Sequence, residues 1–115
     1  MPIRQFKSGA KRDTNEGKLE YARFLSPIVI RRYAEYMHKH RKMTDGTLRE
    51  PDDWQQLFGD NHDQVCMDSL ARHFMDIWLE NDGYKSRDGK EEALCAIMFN
   101  SMALLYKLLK VDSKE

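Results

Sequence analysis

Three side chains in the second half of the chain have the types and spacing for metal-assisted phosphate chemistry. His73 and Asp76 stand three residues apart in "RHFMD", and Glu92 opens the segment "EEALCAIMFNSMALLY". An imidazole and a carboxylate one helical turn apart can ligate a metal ion or orient a water molecule. Asp76 and Glu92 together would make a two-carboxylate magnesium site, because magnesium takes few carboxylates and fills its shell with water and phosphate. The same residues fit a structural pattern. Asp68, Arg72, Asp76 and Glu80 recur every four residues, as in an exposed salt-bridge row, and Glu91 and Glu92 suit the N-terminus of a helix, whose dipole favours negative charge.

Asn100 raises a different question. From Ala93 to Tyr106 every residue is apolar except Asn100 and Ser101. Burying an amide without partners costs on the order of 1–3 kcal/mol, so something must satisfy it. One source is a structural polar network or a symmetry mate; the other is a ligand. An asparagine offers a carbonyl and two N–H donors, enough to orient Arg72 or His73 and a ligand together. Glu92 lies eight residues away, within about 80° around a helix axis, so the two can flank one groove.

The N-terminal stretch "SGAKRDTNEGKLEY" places Arg12 and Lys18 near two glycines. Glycine permits close backbone approach, and the cations could clamp phosphates; otherwise this is a charged arm. Its spacing is not that of a phosphate-binding P-loop. Trp54 sits in a polar loop, where it either packs onto the core or stacks on a base.

The elements that must carry these residues are helices. Residues 1–24 read as an ordered N-terminal arm. Ser26 and Pro27 are an N-cap and a first helical residue, opening a helix that ends in the basic cluster from His38 to Lys42. Asp45–Gly46 marks a turn, and a short helical turn is predicted around Asp53 to Phe58. A second long helix is predicted from Gln64 to Glu80, with Met67, Leu70, Ala71, Phe74, Ile77 and Trp78 as its buried stripe. Asp88 and Glu91 suggest a capping box ahead of a third, from Lys90 to Leu109. The predicted fold is all-α, a small helical bundle forming one domain over residues 1–115. The last helix is apolar on nearly all sides. The chain is therefore expected to be at least a dimer, with Met98, Met102 or Leu105 in the contact.

Composition excludes several classes. The 19 basic residues are balanced by 19 acidic ones, which argues against duplex nucleic acid and anionic membranes as partners. Cys66 and Cys95 lack metal-ligand spacing and read as reduced core thiols. The N-terminus carries no secretory pattern, and the run from Ala93 to Tyr106 is too short to span a bilayer. These features suggest a cytoplasmic protein.

The order of the motifs is more specific than any one of them. "SGAKRDTNEGKLEY", "LSP", "DDW", "DSLARHFMDIW" and "EEALCAIMFN" follow one another in a way that resembles the phage-encoded family of dATP/dGTP diphosphohydrolase N-terminal domains. The resemblance runs from about Phe6 to Leu109. It implies a nucleotide ligand, hydrolysis of deoxynucleoside triphosphates with a divalent metal, and residence in the host cytoplasm. On the matching positions fall Arg12, Asp13, Gly17, Lys18, Trp54, Asp68, Arg72, His73 and Asn100. The chain departs from the family at Ala93 and Ala96, where many relatives carry two histidines. Beside a plain interaction module whose polar residues are structural, two functions therefore remain open. One is a magnesium-dependent nucleotide pyrophosphohydrolase, with Asp76, Glu92 and His73 as its chemistry, Arg12, Lys18 and Arg72 on the phosphates, and Asn100 and Trp54 on the nucleotide. The other is a non-catalytic sponge that sequesters a nucleotide immune signal.

Overall fold

Where the sequence is most apolar, the chain forms its longest helix. In the computed structural model α4 runs from Lys90 to Ser113 and packs antiparallel on α3, His62–Asn81. Residues 17–56 and 59–113 are described, with the backbone alone of 4–5, 11–12 and 111–113. The chain divides into two compact units, Met1–Ile30 and Arg31–Glu115.

In the first unit, β1 (Arg4–Gln5) pairs antiparallel with β2 (Lys11–Arg12), Arg4 opposite Arg12. Gly17 takes a φ of 76°, a conformation that favours glycine. The one-turn helix α1 (Tyr21–Phe24) ends at Leu25, whose backbone is extended. α2 (Pro27–Lys39) then starts at the proline, with the Val29 N–H donating to Ser26 Oγ at 3.4 Å. The rest of the arm, including the Arg12 side chain, lies outside the described residues.

The second unit holds the remainder of α2, a 3-10 turn at Asp53–Gln56, α3 and α4. Beyond α2 the chain doubles back around Gly46 (φ 89°), where the Thr47 N–H and hydroxyl both donate to Asp45 Oδ1. Apart from the two-residue pairing in the first unit and an isolated bridge between Lys42 and Leu48, the described residues form only helices, turns and loops.

The α3–α4 interface reverses one expectation. The predicted buried stripe of α3 is largely exposed: Met67 is 54%, Phe74 56% and Trp78 53% accessible, and only Leu70 and Ile77 are half-buried. α3 instead turns a polar seam inward. His62, Cys66 and Asp76 are buried, and Ser69, His73 and Glu80 are half-buried, spaced four and three residues apart. The facing seam of α4 is made of small residues, Ala93, Ala96, Asn100 and Ala103. Two bonds set the antiparallel register, Ser69 to Asn100 and Asp63 to Lys107. Counting outward from Ser69–Asn100 in steps of three and four puts Ala96 opposite His73, Ala93 opposite Asp76 and Ala103 opposite Cys66. The alanines leave room for bulkier polar side chains, which is why the hairpin closes on its polar side.

α4 also extends past the apolar run at both ends. Its segment Lys90–Lys110 is long and apolar enough, by length and composition, to cross a membrane, although the Ala93–Tyr106 run alone is not.

Candidate functional site

The polar seam ends where the C-terminal half of α3 packs on the start of α4, and α2 reaches this end through ion pairs of Arg32 and Lys39 with Glu91 and Glu92. Asp76 is buried on α3, and its carboxylate accepts from Arg87 Nη2 at 2.6 Å and from Arg87 Nε at 3.2 Å. Arg87 sits in the connecting loop beside Ser86, whose hydroxyl accepts the Gly89 N–H at 3.1 Å as the chain enters α4. The expected capping box is displaced. Glu91 accepts from Arg32 Nε at 2.7 Å across to α2. Glu92 is taken up by the same α2 face, by Arg32 Nη2 at 3.4 Å and by Lys39 Nζ.

His73 Nδ1 lies 3.6 Å from Asp76 Oδ2. Burial, assisted by the Arg87 guanidinium, holds the His73 imidazolium below its ordinary range, although Asp76 pulls the other way. His40, at the end of α2, is lowered by burial and by Lys39, and it feels the charges of Asp88 and His73. The Tyr36 ring lies 4.3 Å from the His40 ring, centroid to centroid, and stacks at 6.5 Å on Tyr33. Burial pushes the Tyr33 phenol up to about 12, and its buried hydroxyl has no hydrogen-bond partner among the described residues. The Arg87 guanidinium keeps Asp76 below the usual carboxylate range, so it stays ionised beside the neutral imidazole.

The sequence-derived candidates thus separate into groups. His73 and Asp76 pair with each other on α3, while Glu92, on α4, pairs with α2. Asp76 and Glu92 are each engaged by cations, and among the described residues no three histidine, cysteine or acidic side chains form a group that could hold a metal ion. A magnesium ion here would have to displace Arg87 from one carboxylate and Arg32 and Lys39 from the other. The arrangement does not fit it. Arg72 is exposed on α3 next to His73. Asn100, anticipated within reach of Arg72 or His73, bonds one turn earlier, to Ser69 Oγ at 3.1 Å and to the Ala96 carbonyl at 2.8 Å. Trp54 packs edge-on against Phe99 and Tyr106 at centroid distances of 6.2 and 5.1 Å. Lys18 is exposed in the first unit.

Sequence reading missed Arg32, Tyr33, Tyr36, Lys39, His40 and Arg87. A signal was present on α2. Arg32, Tyr36, Lys39 and His40 repeat at helical spacing, which puts two cations, a phenol and an imidazole on one face. A second grouping, at the other end of α3, has the order of a nucleophile relay: Cys66 Sγ lies 3.5 Å from His62 Nε2, and His62 Nδ1 lies 3.4 Å from Asp63. Burial and the Asp63 charge push the thiol up, so it is held protonated and is not an activated nucleophile.

Comparison of the chain with protein-family models, curated proteins and solved structures gives no match.

Proposed function

We propose that this protein binds a nucleotide at the junction of α2, α3 and α4 and holds it without hydrolysis. The observation that carries the reading is the pairing of every carboxylate assigned to catalysis with a cation, together with alanine at the two positions facing His73 and Asp76. Those alanines occupy the places where the resembled family often has histidines. The remaining equipment suits recognition. Tyr33 and Tyr36 offer aromatic faces, the unpaired Tyr33 hydroxyl offers a donor, and Arg32, Lys39 and Arg87 are held in place by acids that an incoming phosphate can replace. Sequestration of a nucleotide signal in antiphage defence is the role that this chemistry and the motif order support.

The competing reading is the magnesium-dependent pyrophosphohydrolase, favoured by the 3.6 Å contact of His73 with Asp76. Glu92→Gln separates the two. In a binder the substitution frees Lys39 from its carboxylate and leaves Arg32 held by Glu91 alone, so nucleotide affinity rises severalfold. In the hydrolase it abolishes turnover. The direct experiment incubates the protein with mono-, di- and triphosphate and cyclic nucleotides plus magnesium, then identifies bound and released species by mass spectrometry. Intact ligand, with binding unaffected by chelation, is the expected result. Hydrolysed product would establish the enzyme instead, and failure of every nucleotide to bind would remove both readings.

A further inference from the structure

The outer face of α3 is a hydrophobic surface that no other described residue of the second unit covers. Met67, Ala71, Phe74 and Trp78 recur at intervals of four, three and four, roughly opposite the seam that faces α4 at 100° per residue. Phe74 and Trp78 lie side by side, ring centroids 6.0 Å apart. Met75 and Leu79 flank them on one side at 47% and 37% exposure. Little else compensates, since no large side chain of the described residues is fully buried and the apolar core consists of two cysteines and three alanines. A chain of this size ordinarily buries leucine and aromatic side chains in its own core.

We infer that this face is covered by the same face of a second copy, the two α3 helices lying antiparallel about a two-fold axis between Ala71 and Phe74. Two observations select a second copy over another occupant. The stripe is self-complementary about that axis. Ala71 of each copy meets Phe74 of the other, small against large, and Met67 meets Trp78, a favourable sulfur–aromatic pairing. Its area also fits. The half-exposed side chains leave on the order of 500 Å² of apolar surface per chain, so two copies would bury roughly 1,000 Å², the least that a specific interface needs. The sequence alone places the contact on α4, at Met98, Met102 or Leu105; the contact inferred here lies on α3 instead. This inference stands apart from the nucleotide reading.

The test is the mass in detergent-free solution, by light scattering at micromolar concentration, of the wild type, Phe74→Glu, Trp78→Glu and Leu105→Glu. The expected result is a dimer or larger wild type, single-chain mass for Phe74→Glu and Trp78→Glu with helical circular dichroism retained, and an undiminished assembly for Leu105→Glu. Ala71→Cys guards against variants that fail to fold, because Cys66 and Cys95 are buried and the new thiols alone would be joined by a short bis-maleimide. A covalent dimer supports the surface. A monomeric wild type overturns it. So does an assembly broken by Leu105→Glu but not by Phe74→Glu, an absence of cross-linking in Ala71→Cys, or a chain that sediments with membranes and is extracted as a monomer.

Discussion

Asn100 and Ser69 face each other across the α3–α4 interface, the Asn100 Nδ2 donating to Ser69 Oγ at 3.1 Å while the Ala96 carbonyl one turn back accepts from the same nitrogen at 2.8 Å. A single buried amide group thus ties the two helices together at the middle of their seam and fixes their register.

Ser69→Ala removes the acceptor and strands a buried donor. It should lower stability by about 1–3 kcal/mol in urea unfolding. Asn100→Leu should be milder, because the Ser69 hydroxyl left behind can bond to the carbonyl one turn back along α3. The double variant should recover part of the Ser69→Ala loss. Nucleotide binding that survives Asn100→Leu would assign the residue to the register alone.

Arg87→Met deprives the buried Asp76 carboxylate of its bidentate partner. The Asp76 folded-state pKa lies below its ordinary value near 3.8, so the pair's contribution is fully present above that value and is lost as pH falls through the depressed folded value. The variant should melt lower at neutral pH and show a shallower loss of stability between about pH 4 and pH 2. An unchanged acid limb would show that Arg87 does not sustain Asp76.

His73 and His40 are both lowered from 6.5 by burial. The folded state then favours the neutral rings. Above the unfolded value of 6.5 neither contributes; as pH falls below it, stability declines until the folded values are passed. The melting temperature should therefore drop from pH 7.5 to pH 5, and His73→Gln should flatten that drop. Equal slopes in wild type and variant would refute the assignment.

Trp54 is fastened to α4 through Phe99 and Tyr106, and the Tyr106 hydroxyl donates to Gln55 at 3.3 Å. Trp54→Ala should cost about 2–3 kcal/mol, somewhat below the loss for a fully buried aromatic. Trp54→Phe should retain most of the stability and all nucleotide binding. Loss of binding in the phenylalanine variant would restore a stacking role.

Local signals settled much of the architecture. Ser26–Pro27 predicts where α2 starts, Asp45–Gly46 predicts the turn, and two long apolar segments predict α3 and α4 to within a few residues, because caps, turn residues and helical periodicity act over one or two turns. Composition likewise marked Asn100 as a residue that needed partners. Which partners it took, and which side of α3 turned inward, were not local questions. Met67, Phe74 and Trp78 have the periodicity of a core face, and nothing within the helix distinguishes burial against α4 from burial against another copy. The decision came from α4, where Ala93, Ala96 and Ala103 leave space that the polar seam of α3 fills. The same packing gave Asp76 to Arg87 and Glu92 to Arg32 and Lys39, pairings that span 11 residues in one case and 53 to 60 in the other. Sequence alone determined the helices and their chemical inventory; which side chains neutralise one another was decided by the packing of helices distant in the chain.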